Sequence, residues 1–427
     1  MTEKDLNRKK LLILGGISLS QEIIKYAKKL GIDVYVTDYL ENSPAKKYAD
    51  KSFMVSATDV NALSKLVEDE NIDGMLTGFV DILLHFYEEV CKKTGRPCYA
   101  TREQIEILTD KVKFKELCRK FEIPVVEEYT LENPLDEHSY KIFKYPILLK
   151  PADNSGGRGI TICYSPDDFI ANYNKTLSFS KSRKVLIEKF MKTQEVTIFY
   201  MLQNGKIKFS AMSDRHIQHF QDGIIPLPVA YTFPSVYLNE YERTIHPKVI
   251  EMFKHLGMKN GMVFIQSFVE EGKCIFYEIG YRITGSLEYK IIEHASGFNP
   301  IEMMIQQAIS DSSIVDIEKL ANPHFTNHYC NITFPAYPGT IETISGVNEI
   351  LKMPNVIDVV LSYDEGDEIP QKALGTLAQV VARVFAHAGT KEELILVMDD
   401  IHHKFKVTSV TGENMLLPSL DTNQLLQ

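Results

Sequence analysis

The chain has 427 residues, enough for two to four structural units. Hydrophobic residues make up 44 % of it, and the formal net charge is −10 with acids and bases interspersed. This balance argues against nucleic acid or an anionic membrane surface as the main partner. No apolar run approaches the ~18 residues of a membrane span, so we expect no membrane partner either.

The first apolar stretch and the cysteines both bear on location. The stretch is interrupted by Gly15 and Gly16 and soon reaches Glu22, which is typical of a first buried strand rather than of a secretion signal. The six cysteines are scattered without a CxxC pair, which favours reduced thiols. We therefore expect a cytoplasmic protein.

Residues 10–100 alternate between strand-like and helix-like segments. This βαβ alternation predicts a Rossmann-like parallel sheet at the N-terminus. Gly15 and Gly16 follow the first strand, but the third glycine of a dinucleotide-binding fingerprint is missing. The pair therefore favours a tight strand–helix turn over a dinucleotide site.

From residue 146 onward the pattern changes to neighbouring strands, which is typical of an α+β fold. We predict one or two helices over 103–122, neighbouring strands from 146 onward, a helix over 239–257 and two helices within 286–310. Residues 330–427 are predicted to hold mixed strands and a helix over 374–389. "SDRHIQHF" carries Arg215, His216 and His219, which could line a substrate pocket but are better explained as polar loop residues.

The stretch "DNSGGRGI" follows an apolar strand that ends in Lys150. The residues after Gly159 are β-branched, so this stretch is predicted to join two antiparallel strands. Glycines let consecutive backbone N–H groups turn toward a polyanion, because no Cβ stands in the way. Ser155 and Arg158 would add donors, and Lys150 would add a point charge.

The next strand, "VLIEKFM", offers a second part of such a site. A planar heterocycle needs apolar faces and an edge acceptor, which Phe190, Met191 and Glu188 could supply. A ribose diol suits a carboxylate, and Glu195 lies seven residues after Glu188. Both acids could instead be solvated surface residues.

Gln266 and Glu278 lie twelve residues apart on two strands that join near Gly272. A three-residue turn would pair them on one face, whereas a two-residue turn would put them on opposite faces. On one face they offer an oxygen pair for Mg²⁺. Glu278, Gly280 and Arg282 share a face by the period of a strand, and a structural Glu278–Arg282 contact is the alternative.

In this order the signals resemble the ATP-grasp superfamily over roughly residues 8–320. The resemblance rests on "TDKVKFK", "ILLKPADNSGGRGI", "VLIEKFMKTQEVTI" and "FYEIGYRITG". It implies a Rossmann-like domain over 1–110 and an ATP-grasp domain over 111–325, with a lid over about 112–190 and a larger subdomain over 191–325. A C-terminal α+β domain would follow over 326–427.

The resemblance also implies roles for individual residues. Lys111 and Lys150 would hold the nucleotide phosphates, Lys150 and Arg282 would act in catalysis, and Arg282 would meet the acyl phosphate. The remaining nucleotide and metal roles fall on a flap of Ser155, Gly156, Gly157, Arg158 and Gly159, an adenine hinge of Glu188, Lys189, Phe190 and Met191, a ribose carboxylate at Glu195, and metal ligands at Gln266 and Glu278. Members commonly read Glu-x-Asn-x-Arg, whereas Gly280 stands here in place of the third ligand.

The implied activity is that of a ligase. ATP and Mg²⁺, or Mn²⁺ in its place, would activate a carboxylate as an acyl phosphate, and an amine would then displace phosphate. The implied partners are the two small substrates, and a homodimer is possible. The alternatives are a carboxylase-like or carbamoyl-phosphate-synthetase-like enzyme, and a sensor or assembly protein that binds ATP without turnover.

Overall fold

The computed structural model describes residues 6–131, 137–152, 159–220 and 226–426. The strands are β1 Lys10–Leu14, β2 Asp33–Thr37, β3 Lys51–Phe53, β4 Gly74–Leu76, β5 Glu128–Tyr129, β6 Ile147–Pro151, β7 Thr161–Cys163, β8 Val185–Lys189, β9 Gln194–Gln203, β10 Lys206–Gln218, β11 Leu227–Phe233, β12 Gly261–Glu270, β13 Lys273–Gly280, β14 His328–Pro335, β15 Gly339–Ser345, β16 Val356–Leu361, β17 Glu368–Ile369, β18 Val380–Ala388 and β19 Lys406–Ser409. The helices are α1 Ser20–Lys29, α2 Val60–Asp69, α3 Leu84–Thr94, α4 Arg102–Thr109, α5 Lys111–Lys120, α6 Glu137–Lys141, α7 Pro166–Ser178, α8 Leu238–Thr244, α9 His246–His255, α10 Tyr289–Ser296, α11 Pro300–Ser310, α12 Ile317–Leu320, α13 Val347–Ile350 and α14 Lys391–Lys404.

The N-terminal sheet has the strand order β3-β2-β1-β4 and is parallel throughout, which confirms the βαβ prediction. At the end of β1, Gly15 adopts a φ of 93°. The N–H of Gly16 donates to Asp38 Oδ2 at 2.8 Å, and a Cβ at Gly16 would lie 2.2 Å from Ser43 Oγ. The glycines therefore make the predicted tight turn. The Asp38 carboxylate already accepts the hydrogen bond that the Gly16 N–H would donate to a dinucleotide diphosphate.

The lid sheet has the order β5-β8-β6-β7. Its strands β6 and β7 pair antiparallel, with Leu149 opposite Thr161, as predicted for the strands on either side of the glycine-rich stretch. A separate aromatic core holds the sheet to α7, where the Phe169 ring lies 5.2 Å from that of Tyr140 and 6.0 Å from that of Phe143. The lid is therefore a packed unit of its own.

The large sheet has the order β13-β12-β9-β10-β11-β14-β18-β16. It crosses the domain bound placed between residues 325 and 326, because β14, β18 and β16 extend the sheet that β9 to β13 begin. The domain bounds therefore remain an interpretation of the sequence. A smaller sheet, β17-β15-β19, and α14 complete the C-terminal part.

The helix predicted over 374–389 is wrong. Most of this segment is strand β18, preceded by short 3₁₀ turns. β18 lies between β14 and β16, and nearly all of its residues are buried. Such a central strand reads as a continuous apolar run without alternation, so periodicity alone does not separate it from a buried helix. The true helix is α14, which begins at a capping box of Thr390 and Glu393.

The remaining helix predictions are confirmed. α4 and α5 lie within 103–122 but for one residue, α8 and α9 fill 239–257, and α10 and α11 lie within 286–310. None of the helices in the described ranges combines the length and apolar character that crossing a membrane requires.

Candidate functional site

The β12–β13 hairpin brings Gln266 and Glu278 directly opposite each other. The two residues therefore share a face, as a three-residue turn would give, but the hairpin has a two-residue turn instead. Glu270 pairs with Lys273 through a two-residue turn, and Tyr277 is then skipped as a bulge, so Ser267 faces Phe276 and Gln266 faces Glu278. The extra residue restores the shared face that a two-residue turn alone would have removed. Both side chains line one cleft.

Lys111 and Arg282 place positive charge beside this oxygen pair. Lys111 Nζ lies 3.9 Å from Glu278 Oε1. Arg282 does not form the alternative contact with Glu278: its Nη2 donates to Asp81 Oδ2 at 2.6 Å, and its guanidinium carbon lies 5.0 Å from the centre of the Phe264 ring. Arg282 therefore ties the end of β13 to the N-terminal part of the chain.

Gly280 is covered by the ring of Phe264, its cross-strand partner. A Cβ at position 280 would lie 2.2 Å from Phe264 Cε1, closer than non-bonded atoms approach. The ring thus occupies the space that a side chain at 280 would need. This explains in packing terms why the third ligand of the superfamily pattern is absent here.

Lys150 and Glu188 meet inside the lid, with Lys150 Nζ 2.6 Å from Glu188 Oε1. A second ammonium, that of Lys115, contacts the same oxygen and also lies 3.0 Å from Glu128 Oε1. Lys115 is fully buried and Glu188 is 2 % exposed, so Glu188 is not a solvated surface acid. The sequence analysis missed Lys115, although it lies one helical turn after Lys111 in "TDKVKFK".

Burial and these neighbours shift the pKa values of the pair. Burial lowers the pKa of Lys150 to about 8, because the Glu188 carboxylate only partly offsets the desolvation and the charges of Lys115 and Lys111. Burial alone would raise the pKa of Glu188, but the Lys150 and Lys115 ammonium groups bring it below its ordinary value. Glu188 is thus held ionised between two lysines.

The segment after β8 is fixed by its backbone. The N–H of Lys189 donates to Glu127 O at 3.0 Å, and that of Phe190 donates to Pro146 O at 3.2 Å. Met191 is buried, whereas the Lys189 side chain is 39 % exposed and pairs with Glu270 at 2.8 Å. Met191 is therefore a buried apolar side chain of this segment, whereas the Lys189 ammonium lies at the surface.

Glu195 is buried and already has partners. Its carboxylate forms an ion pair with Arg215, its neighbour across β9 and β10, and Tyr277 donates to its Oε2 at 2.9 Å. The loop interpretation of "SDRHIQHF" is wrong for Arg215 and His216, which lie within β10. His216 bonds Thr232 Oγ1 at 2.8 Å, and burial lowers its pKa to about 4.

Four residues of the flap, Ser155, Gly156, Gly157 and Arg158, lie outside the described residues. Gly159, the last of the flap, adopts a φ of 77°, and a Cβ there would lie 2.6 Å from Phe179 Cβ. Position 159 therefore requires glycine for its conformation and for the close approach of Phe179.

A cleft of about 700 Å³ is lined by Gln266, Glu278 and Arg282, whereas Lys150 and Glu188 do not line it. Its walls come from three parts of the chain: Asp81 follows β4, Gln266, Glu278 and Arg282 lie on or after the β12–β13 hairpin, and Arg383 lies on β18. Three buried polar atoms of cleft-lining residues, Arg282 Nε, Arg215 Nε and Thr197 Oγ1, have no hydrogen-bond partner among the described residues. Orphaned donors at a cleft wall indicate a polar ligand.

The residues present fit Mg²⁺ and a polyphosphate. Gln266 and Glu278 offer two oxygens, and Mg²⁺ characteristically completes its shell with phosphate oxygens and water. No group of three or more His, Cys, Asp or Glu side chains able to hold a metal occurs in the described residues, so the protein oxygens available here are few. Lys111 and Lys150 are the lysines that the sequence predicts to hold the phosphates.

Comparisons with known proteins agree with this geometry. Residues 110–312 match the family model described as the ATP binding domain of the carbamoyl-phosphate synthase L chain. A formate-dependent phosphoribosylglycinamide formyltransferase of Sulfurisphaera tokodaii is 28 % identical over 201 residues, which are 44 % of this chain and 49 % of that protein. The chain thus spans about half the length of the first curated relatives it matches.

Solved structures resemble nearly the whole chain. An L-amino acid ligase from Bacillus licheniformis aligns with a TM-score of 0.75 and 17 % identity over 94 % of this chain and 99 % of its own. A phosphoribosylglycinamide synthetase from Anaerococcus prevotii aligns with a TM-score of 0.73 and 19 % identity over 94 % of this chain and 100 % of its own. At these identities the likeness shows a shared fold.

Proposed function

We propose that this chain, which belongs to the ATP-grasp superfamily, is an ATP-dependent ligase that joins a carboxylate substrate to an amine. One observation carries the proposal. The side-chain oxygens of Gln266 and Glu278, with Arg282 beside them, face one cleft that is large enough for both substrates. A reaction between a phosphate-bound acid and an amine needs this arrangement, because all three reactants must meet at one point.

The proposed reaction has two steps. An oxygen of the substrate carboxylate attacks the γ-phosphorus of ATP, the bond to the bridging oxygen breaks, and ADP leaves. The amine nitrogen then attacks the acyl carbon, loses its proton and displaces phosphate, which gives an amide. Mg²⁺ held by Gln266 and Glu278 would neutralise phosphate charge, and Arg282 would stabilise the charge on the transferring phosphoryl group.

The nucleotide roles inferred from the sequence are part of this proposal. Lys111, which lies beside Glu278, and Lys150, which is buried against Glu188, would supply charge for the phosphates. Residues 188–191 would offer a fixed backbone and a buried Met191 to the adenine. A ribose role for Glu195 requires that it bind the diol while it keeps Arg215 in place. The proposal also includes the flap over the phosphates, residues 155–158, and this part rests on the sequence alone.

Hydroxylamine tests the proposal without knowledge of the natural amine. It attacks an acyl phosphate and yields a hydroxamate, so acids can be screened one at a time with Mg·ATP. Formate and the amino acids are the first acids to test, given the names of the similar proteins. We expect one acid class to give hydroxamate together with an equal amount of ADP. Acid-independent ADP formation, or none with any acid, would contradict the ligase.

Gly280 favours a second candidate, a protein that binds ATP without turnover. The Phe264 ring leaves no room at position 280 for another metal ligand, and the superfamily pattern commonly has one there. In that case Mg·ATP would raise the melting temperature while no acid gives hydroxamate. A carboxylase-like activity would instead appear as ADP release that depends on bicarbonate and not on an amine.

Three finer features also belong to the proposal. Mn²⁺ would replace Mg²⁺ at the Gln266–Glu278 pair, since both take oxygen ligands. A cytoplasmic location follows from the scattered, unpaired cysteines. The protein would form a homodimer, and light scattering at micromolar concentration would test this.

A further inference from the structure

Arg383 is a buried guanidinium at the end of the cleft that β18 provides. It is 4 % exposed, and its Nη1 donates to Thr333 Oγ1 on β14 at 2.9 Å. Among the described residues no carboxylate lies within 4.0 Å of it. A buried cation without a counter-charge is costly, and such groups commonly mark the place where an anion binds.

Glu288 is a buried carboxyl in the same cleft. It is 1 % exposed, precedes α10 and accepts a hydrogen bond from the Thr284 hydroxyl. No lysine, arginine or histidine nitrogen of the described residues lies within 4.0 Å of it. Burial raises its pKa, while the Thr284 hydroxyl and the more distant charge of Arg383 lower it. The carboxyl is therefore without a direct cationic partner.

The two groups, a guanidinium and a carboxyl, line one cavity. Both line the cleft into which Arg282, Gln266 and Glu278 also open. The other two arginines that line the cleft are already paired, Arg215 with Glu195 and Arg282 with Asp81. A molecule that carries an anionic group and an ammonium group would give Arg383 and Glu288 the partners that the protein does not provide.

We propose that this end of the cleft binds the amine substrate as an amine that also carries an anionic group, with Arg383 bound to the anion and Glu288 to the ammonium. This rests on the proposed ligase, for which it names the class of acceptor. The anion is a carboxylate, as in an amino acid, or a phosphate, as in an aminoalkyl phosphate. A guanidinium binds either group through two parallel N–H donors.

Binding can be measured without turnover, so that failure of the ligase and failure of this site are distinguishable. The full chain is saturated with Mg²⁺ and a non-hydrolysable ATP analogue, and calorimetry follows each of the twenty proteinogenic amino acids and O-phosphoethanolamine. N-acetylated amino acids lack the ammonium group, and ethanolamine lacks the anion. We expect binding of at least one zwitterionic probe and none of its counterpart that lacks one charge.

Variants assign the two charges. Arg383→Gln and Glu288→Gln should each weaken binding of that probe about ten- to a hundred-fold, the size of a charge-assisted contact. Arg383→Lys, which keeps the charge and the fold, should weaken it less than Arg383→Gln. Arg243→Gln, which removes an exposed arginine, is the matched control and should bind as the wild type does.

Two results would overturn the site. One is the absence of binding by every zwitterionic probe to the wild type, and the other is unchanged affinity in both folded Gln variants. Binding that depends on Arg383, together with no ADP formation in the hydroxylamine assay with Mg·ATP, would leave the acceptor site standing and overturn the ligase.

Discussion

Lys150, Lys115 and Glu188 show how single charges are arranged before a nucleotide binds. Glu188 is the counter-ion of both lysines, so the lid keeps two buried ammonium groups without leaving either unpaired. Phosphates that approach Lys150 would share it with Glu188 rather than meet an uncompensated charge. The geometry supports two predictions on Lys150.

Lys150→Met should weaken Mg·ATP binding about ten- to a hundred-fold, because a charge-assisted contact contributes ~1.5–3 kcal/mol. The variant should fold, since Lys115 remains as the partner of Glu188. Calorimetry on the variant measures the loss, and Lys248→Met, at a half-buried position on α9 that does not line the cleft, is the control. Equal nucleotide affinity in a folded Lys150→Met protein would remove this residue from the site.

Nucleotide affinity of the wild type should fall above about pH 8. The pKa of Lys150 is lowered to about 8 by burial, so the free protein loses the ammonium as the pH rises through that value. Glu188, Lys115 and Lys111 are the charged groups that act on it, and phosphate binding favours its protonated form. Between pH 8 and 9.5 we expect a loss of about tenfold in affinity. Lys150→Met should show no such decline; a flat wild-type profile would contradict the assignment.

The β12–β13 hairpin shows what the sequence could and could not predict about an element. The spacing of Gln266 and Glu278 left two pairings open, one for each turn length. The bulge at Tyr277 that decides between them was not predictable, because a skipped residue leaves no mark in the alternation of side chains. β18 was missed for another reason. Its apolar run is the same in a buried strand as in a buried helix, and only its neighbours β14 and β16 decide between them.

That error also concealed Arg383. On a predicted helix, Arg383 could not be assigned to a face of the element. On a central strand its side chain lies between layers of the structure, and the sequence alone does not specify which elements form those layers. Lys115, by contrast, could have been found from helical spacing alone, one turn after Lys111. Charges on an element of known type are thus predictable, and charges on a misassigned element are not.

Gly280 and Phe264 should behave as a coupled pair across this hairpin. Gly280→Asn alone should destabilise the protein by ~1–3 kcal/mol, because its side chain meets the Phe264 ring. Adding Phe264→Ala should recover part of that loss and leave an oxygen ligand beside Glu278. Chemical unfolding measures the coupling, and Mn²⁺ titration with a non-hydrolysable ATP analogue measures the metal. Additive unfolding energies would contradict a direct contact.

Lys290 joins the three parts of the chain. It is 3 % exposed and lies 2.7 Å from Glu22 on α1 and 2.7 Å from Asp358 on β16, while it belongs itself to α10. The large sheet, which continues past residue 325, adds a second connection between the ATP-binding and C-terminal parts. The three parts of the chain that form the cleft walls are therefore connected to one another.

Lys290→Met should lower the free energy of unfolding by about 3–5 kcal/mol, because it leaves two carboxylates, one of them buried, without their cationic partner. Urea unfolding measures the change. Lys319→Met removes an exposed ion pair within one turn of α12 and should unfold as the wild type does. Equal stability of the two variants would show that Lys290 does not connect the parts.

We expect the terminal phosphate of a bound nucleotide to lie between the lysines Lys150 and Lys111 and the Gln266–Glu278 pair, at the entrance of the cleft. A crystal structure with Mg²⁺ and a non-hydrolysable ATP analogue would locate it. We expect one Mg²⁺ bound by Glu278 and Gln266, the phosphates beside Lys150 and Lys111, and Arg282 facing the terminal phosphate with the cleft beyond it. A nucleotide bound elsewhere, or Arg282 still turned to Asp81 with the phosphates out of its reach, would rule this arrangement out.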